Sequence, residues 1–130
     1  MSQSPRRLSL SRAASFHFAF SGMWHVLRTQ PNSRIHAVAT LCAVTLGAWL
    51  GLSHIEWAVL ALTIGMVWTA EFANTALEAA IDLASPEVHP LAKIGKDVSA
   101  AAVLIAAITS VVVGLILFAP PLWAKLLNSW

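Results

Sequence analysis

Charge is what this sequence has least of. Asp, Glu, Lys and Arg together make up 11% of its 130 residues, whereas an average soluble domain carries roughly 25%. A soluble core of this length cannot absorb so much apolar surface without leaving much of it facing outward. There is one cysteine, Cys42, set in an apolar run; it excludes an intrachain disulfide and is read as packing. The eight Lys and Arg form no dense patch and no platform interleaved with aromatics, which argues against nucleic acid as a partner. Neither a Walker A loop nor the Gly-rich loop of protein kinases occurs, so neither of those phosphate cradles is available.

What fills the chain is hydrocarbon: 58% of residues are hydrophobic and the mean hydropathy is +0.72. Lipid must be its solvent. The expected fold is an all-α membrane protein with three transmembrane helices and an N-terminal interfacial amphipathic helix, in one integral-membrane domain over about 15–130. Residues 1–14, rich in Ser and Arg, resemble a transit or signal lead, but no clean apolar h-region follows, so a retained, flexible cytoplasmic tail is expected. From about 15 to 29, Phe16, Ala19, Phe20, Met23, Trp24 and Leu27 recur at spacings of three and four, the stripe of a helix lying in the membrane interface. A helix packed on a soluble partner is the alternative. Pro31 then marks a helix start, and the 21 uncharged residues Ile35 to Ile55 suffice for a span, placed at about 32–52. Gly51 to His54 predicts a tight turn.

A second span is expected over about 55–84, stopped by Pro86 and Pro90, and a third over about 97–118, ending near Pro120 and Pro121. Between them, residues 85–97 read as a charged connector. Arg6, Arg7, Arg12, Arg28 and Arg34 precede the first span, and Lys93 and Lys96 lie between the second and third. The positive-inside rule therefore puts the amino terminus and that connector in the cytoplasm and the carboxyl terminus outside. Trp49, Trp57, Trp123 and Trp130 sit where an outer aromatic belt belongs.

The informative stretch is Glu71-x-x-Asn74-Thr75-Ala-x-Glu78-x-x-x-Asp82. Helical steps of about 100° place Asn74 about 60° from Glu71, with Glu78 and Asp82 each about 20° from it, so all four share a face. It follows a run from Trp57 to Ala70 without a charge. Ionisable groups at that depth are costly and usually functional. Five of the six acids, Glu71, Glu78, Asp82, Glu87 and Asp97, fall within 27 residues, with Lys93 and Lys96 among them. Clustered carboxylates and amides suit a hard divalent cation that shares its oxygens with substrate phosphates, and a carboxylate so placed suits a general base acting on a hydroxyl. An inter-helix hydrogen-bond network or a solvated helix end is the structural alternative. The five histidines have no metal-site spacing and read as interface or hydrogen-bonding residues, His89 being the exception whose connector could fold over a nucleotide.

These residues resemble the small prokaryotic membrane kinases that include diacylglycerol kinase and undecaprenol kinase. The match runs from about Phe16 to Pro120. It is carried by Phe16, Ala19 and Gly22, by Asn32-Ser-Arg34-Ile-His36, by Glu56-Trp57, by the Glu71 to Asp82 string, by Glu87-x-His89-x-Leu91, and by Ala92-Lys93-x-x-Lys96-Asp97. The resemblance implies a homotrimer in the bacterial inner membrane that moves the γ-phosphate of ATP, with Mg²⁺, to the hydroxyl of a lipid alcohol, diacylglycerol or undecaprenol. By the same resemblance Glu71 is the catalytic base and Glu78 a metal ligand. Asn74, Asp82, Glu87, Val88, His89, Lys96 and Asp97 contact or organise the nucleotide, and Gly22, Asn32 and Arg34 stand on the substrate side. Lys96 neutralises phosphate charge; Asp97 could instead cap the third span. One departure matters: Gln30 stands where the family usually has a metal-binding glutamate, which implies looser Mg²⁺ binding. Two other readings are a small multi-pass transporter exchanging protons at Glu71 and a non-catalytic membrane subunit. Neither gives the run to Asp82 and the Lys96-Asp97 pair a task.

Overall fold

In a computed structural model, the structure describes residues 12–85, 87 and 89–127. Most of the 1–14 tail lies outside that set, as do Pro86, Val88 and Trp130. The described chain is four helices, α1 (Arg12–Thr29), α2 (Pro31–Leu50), α3 (His54–Ala84) and α4 (Pro90–Leu127). The last three are long and apolar enough to cross a membrane, and among the described residues there is no strand. Large apolar side chains such as Ile35, Leu62, Leu83 and Ile116 stand 65 to 87% exposed. Such a surface needs lipid or further protein against it.

The turns are built from local chemistry. Three of the four carbonyls that α1 leaves open at its end are taken up by the start of α2. Ser33 Oγ donates to Val26 O at 3.0 Å, and the Arg34 guanidinium donates to Leu27 O at 3.4 Å and Arg28 O at 2.7 Å. Pro31 occupies the first turn of α2, where its missing N–H costs nothing. At the other end of α2, Gly51 adopts the left-handed conformation (φ 73°), and the amides of Gly51 and Leu52 both return to Gly47 O. Ser53 and Glu56 then form a reciprocal capping box that starts α3.

Gly47 is buried because Leu52 and Trp57 fold back onto it; a Cβ there would meet Leu52 Cδ1 at 3.0 Å and the Trp57 ring at 3.3 Å. Leu52 joins Leu60 and Leu117 in the small apolar core, with Trp57 and Phe118 packed beside it. α3 and α4 run antiparallel and share the largest interface of the fold, from Leu60 against Leu117 at one end to Ile81 against Gly95 at the other.

Several expectations are corrected. α1 begins at Arg12 rather than near 15, and it buries Val26, a residue off the predicted stripe, because its last turn closes on Ser33. Most of residues 85–97 are not connector: α4 starts at Pro90, a residue suited to a first helical turn. Asp97 therefore lies inside α4 and cannot cap it. His89 does that work instead, its Nδ1 accepting from the Leu91 amide at 3.2 Å. Nor does the third span's helix end near Phe118. It passes through Pro120 and Pro121 to Leu127, since proline's φ suits a helix and the carbonyls it leaves open, on Ile116 and Leu117, lie toward the helix end. Cys42 is exposed, not packed within this chain, because it points off the face of α2 that meets α3.

Candidate active site

Helical register delivers Glu71, Asn74, Glu78 and Asp82 to one side of α3, and antiparallel α4 sets Ser99 and Lys96 against them. Asn74 is held at both ends of its amide. Ser99 Oγ donates to Asn74 Oδ1 at 2.7 Å, which turns the Nδ2 group toward Glu78 Oε1, 3.1 Å away. One Glu78 oxygen is thus engaged and the other remains for a ligand. Asn74 and Glu78 line a cleft with Gln30, which precedes α2, and with Asn32 and His36 of α2. Gln30 is the N-cap of α2, yet its side chain makes no cap hydrogen bond, so its amide is not committed to the helix.

One turn further along α3 lies a second, more open cleft lined by Asp82, Glu87, His89, Lys93, Lys96 and Asp97. Lys96 Nζ pairs with Asp82 Oδ1 at 2.5 Å, and Lys93 Nζ pairs with Asp97 Oδ2 at 2.6 Å. Both pairs are well exposed, and exposed pairs contribute only about 0–1 kcal/mol. A triphosphate can therefore draw Lys96 or Lys93 from its carboxylate at small cost.

Glu71 is the most deeply buried ionisable group, 2% exposed, among the described residues. Its backbone carbonyl accepts from Thr75 Oγ1 at 3.0 Å. Its Oε2 faces His36 Nε2 at 3.8 Å, too far for a hydrogen bond. Both atoms are buried, and among the described residues neither has a hydrogen-bond partner. The His36 ring stands edge-on to Trp68, whose indole N–H donates to Thr40 Oγ1 at 3.2 Å. Trp68 and Phe72 in turn wall an apolar groove with Met23, Leu27, Ala37 and Leu41, running between α1, α2 and α3.

Of the residues singled out in the sequence, Gln30, Asn32, Asn74 and Glu78 meet in one cleft, and Asp82, Glu87, His89, Lys96 and Asp97 in the other; Val88 lies outside the described residues. Arg34 is instead engaged with the end of α1, and Gly22 stands on the exposed face of α1 with open space above it. His36, Ser33 and Ser99 carry structure that the sequence reading did not assign. Ser33 and Ser99 had no signal beyond being small polar residues in apolar helices, whereas His36 lay within a quoted motif.

Among the described residues no three His, Cys, Asp or Glu side chains gather into a ready-made metal cage. A Glu78 oxygen, the Gln30 amide oxygen and the open cleft between them nevertheless fit Mg²⁺, which is bound by few protein oxygens and takes the rest of its shell from water and phosphate.

The chain also resembles known proteins in sequence. The profile of the family described as prokaryotic diacylglycerol kinase matches residues 17–118. The chain is 41% identical over 108 residues to an undecaprenol kinase of Bacillus subtilis, covering 83% of this chain and 88% of that protein. It is 46% identical over 109 residues to a diacylglycerol kinase of Synechocystis, covering 83% of this chain but only 62% of the longer relative. A diacylglycerol kinase of Escherichia coli is 37% identical over 100 residues, covering 77% of this chain and 82% of its own length. With most of its helical length matched, and with the acid ladder inside the matched region, this chain is a member of the prokaryotic diacylglycerol kinase family.

Proposed function

We propose that the protein transfers the γ-phosphate of ATP directly to the hydroxyl of a membrane lipid alcohol, of the diacylglycerol or undecaprenol type. The observation that carries the reading is the succession of three environments along α3: an apolar groove at Trp68 and Phe72, which flank buried Glu71, an acid and amide cleft at Asn74 and Glu78, and an open cleft with two lysines from Asp82 onward. A lipid chain fits the first, a divalent metal the second and a polyphosphate the third. Membership of the family supports the same chemistry.

In this scheme the open cleft faces the cytoplasm, and α1 lies in the interface with Phe16, Phe20 and Trp24 in the headgroup region. Lys96 leaves Asp82 for the triphosphate and neutralises charge as the phosphoryl group moves. Glu71 accepts the proton of the lipid hydroxyl while its oxygen attacks the γ-phosphorus and ADP departs. Ser99 and Asn74 hold the Glu78 carboxylate in place. Mg²⁺, when bound by Glu78 and Gln30, supplies charge stabilisation at the phosphates. Following the resemblance, the working form is a homotrimer in the bacterial inner membrane, with sites shared between neighbouring subunits.

The test is ADP release by protein purified in detergent, with ATP and Mg²⁺ and with diacylglycerol, undecaprenol or no lipid. Release coupled to a phosphorylated lipid is expected, and the preferred alcohol is read from the ratio of kcat/KM values. ADP formation indifferent to either lipid, with no phosphorylated product, overturns the proposal.

A further inference from the structure

A buried carboxylate oxygen and a buried imidazole nitrogen that face each other without touching call for a third group. Leaving such atoms unpaired is expensive, and 3.8 Å is too long for a direct bond. A gap of this length is what an oxygen about 2.8 Å from each would span, and because both atoms are enclosed the His36 ring turns to admit it. It has to donate to Glu71 Oε2 and accept from His36 Nε2–H. A hydroxyl does both, whereas an ammonium has nothing to accept with and a carbonyl nothing to donate.

His36 also occupies a particular place in the fold. Its ring lines the cleft that holds Gln30, Asn74 and Glu78, and equally a cavity toward the membrane interior walled by Thr63, Ile64 and Ser110. It packs edge-on against Trp68, the residue that closes the apolar groove. A group passing from the hydrocarbon side to the phosphate side meets His36 beside Glu71.

We infer that His36 is a binding residue for the acceptor hydroxyl: Nε2–H holds one lone pair of the oxygen, so that its proton points at Glu71 Oε2 and a second lone pair is free to attack phosphorus. The inference rests on the lipid-kinase reading above and names the residue that orients its acceptor. Proton and electrons balance within that step: the O–H bond breaks toward Glu71, the new P–O bond forms, and the bond to ADP breaks. Without lipid, the same seat takes the hydroxyl of a water.

The experiment compares the wild type with His36→Ala, which removes the donor, and His36→Gln, whose amide can still donate. Phosphorylation of the lipid that the wild type accepts is measured together with ADP release in the absence of lipid, and folding is monitored by thermal unfolding in detergent. His36→Ala is expected to lower kcat/KM for the lipid about tenfold with KM for ATP unchanged, and His36→Gln to recover much of that loss. Unchanged lipid kinetics in a folded His36→Ala protein overturn the inference, as does an equal loss in Ala and Gln variants that unfold at the wild-type temperature. A loss confined to lipid-independent ADP release assigns the seat to water alone and overturns it too. None of these outcomes touches the lipid-kinase reading, which stands or falls on the phosphorylated product of the wild type.

Discussion

The two ends of the three-helix unit are held together by different physics. At the far end Leu52, Leu60 and Leu117 interlock over Gly47, and Lys125 closes the edge by donating to Trp49 O at 2.7 Å and lying over its ring. That packing is apolar and is made within one chain. At the site end, α3 and α4 meet through Asn74 and Ser99 and through Asp82 and Lys96, while Glu71 and His36 face each other unpaired. Buried polar groups left partly satisfied cost stability, which fits the proposal that this end receives a ligand. The far end supplies the rigidity against which it is held.

The sharpest way to break that contrast is Glu71→Gln. The side chain keeps its shape and loses its basicity, so phosphate transfer should fall about 10²- to 10⁴-fold while the unfolding temperature does not drop. A protein that keeps its rate removes Glu71 from the role of base. Gly47→Leu addresses the opposite end, where the new side chain collides with Leu52 and Trp57; a cost of about 1–3 kcal/mol is expected in reversible unfolding in mixed micelles. Leucine is a clearer probe than alanine, whose gain in helix propensity of about 1 kcal/mol opposes the crowding. Kinetics of the folded fraction should be unaltered, and altered ones would mean that the two ends are coupled.

Smaller effects sharpen the comparison further. Gln30→Glu adds an anionic oxygen to the cleft that holds Glu78, and the Mg²⁺ concentration for half-maximal activity should fall on the order of tenfold, since ligand charge tunes affinity for such ions. An unmoved half-saturation takes Gln30 out of the metal site. Ser53→Ala removes one arm of the capping box at the far end and should lower stability by about 1 kcal/mol, with lipid and ATP parameters unchanged in the same assay.

Much of the fold was legible in the sequence because the bilayer simplifies it: uncharged runs of spanning length are hard to read otherwise, and the phase of Glu71, Asn74, Glu78 and Asp82 follows from helical geometry alone. The capping box was missed, although Ser53 and Glu56 stand three residues apart and only a tight turn was expected there. Prolines misled the reading. Pro90 and Pro121 look alike in a sequence, but the first begins a helix and the second is carried inside one. Asp97 fell to the same error, since a helix that starts at Pro90 leaves it no cap to make.

Sequence by itself determined the class, the number of spans and the acid face, because these depend on hydropathy and on angles within one helix. Tertiary structure alone decided which groups from other helices meet that face: Ser99 turning the Asn74 amide, Lys96 on Asp82, and His36 across from Glu71. The reason is physical. Periodicity describes how residues of one helix are arranged about its own axis, whereas a contact between helices also requires their relative rotation and sliding, which close packing at Gly47 and Gly95 sets.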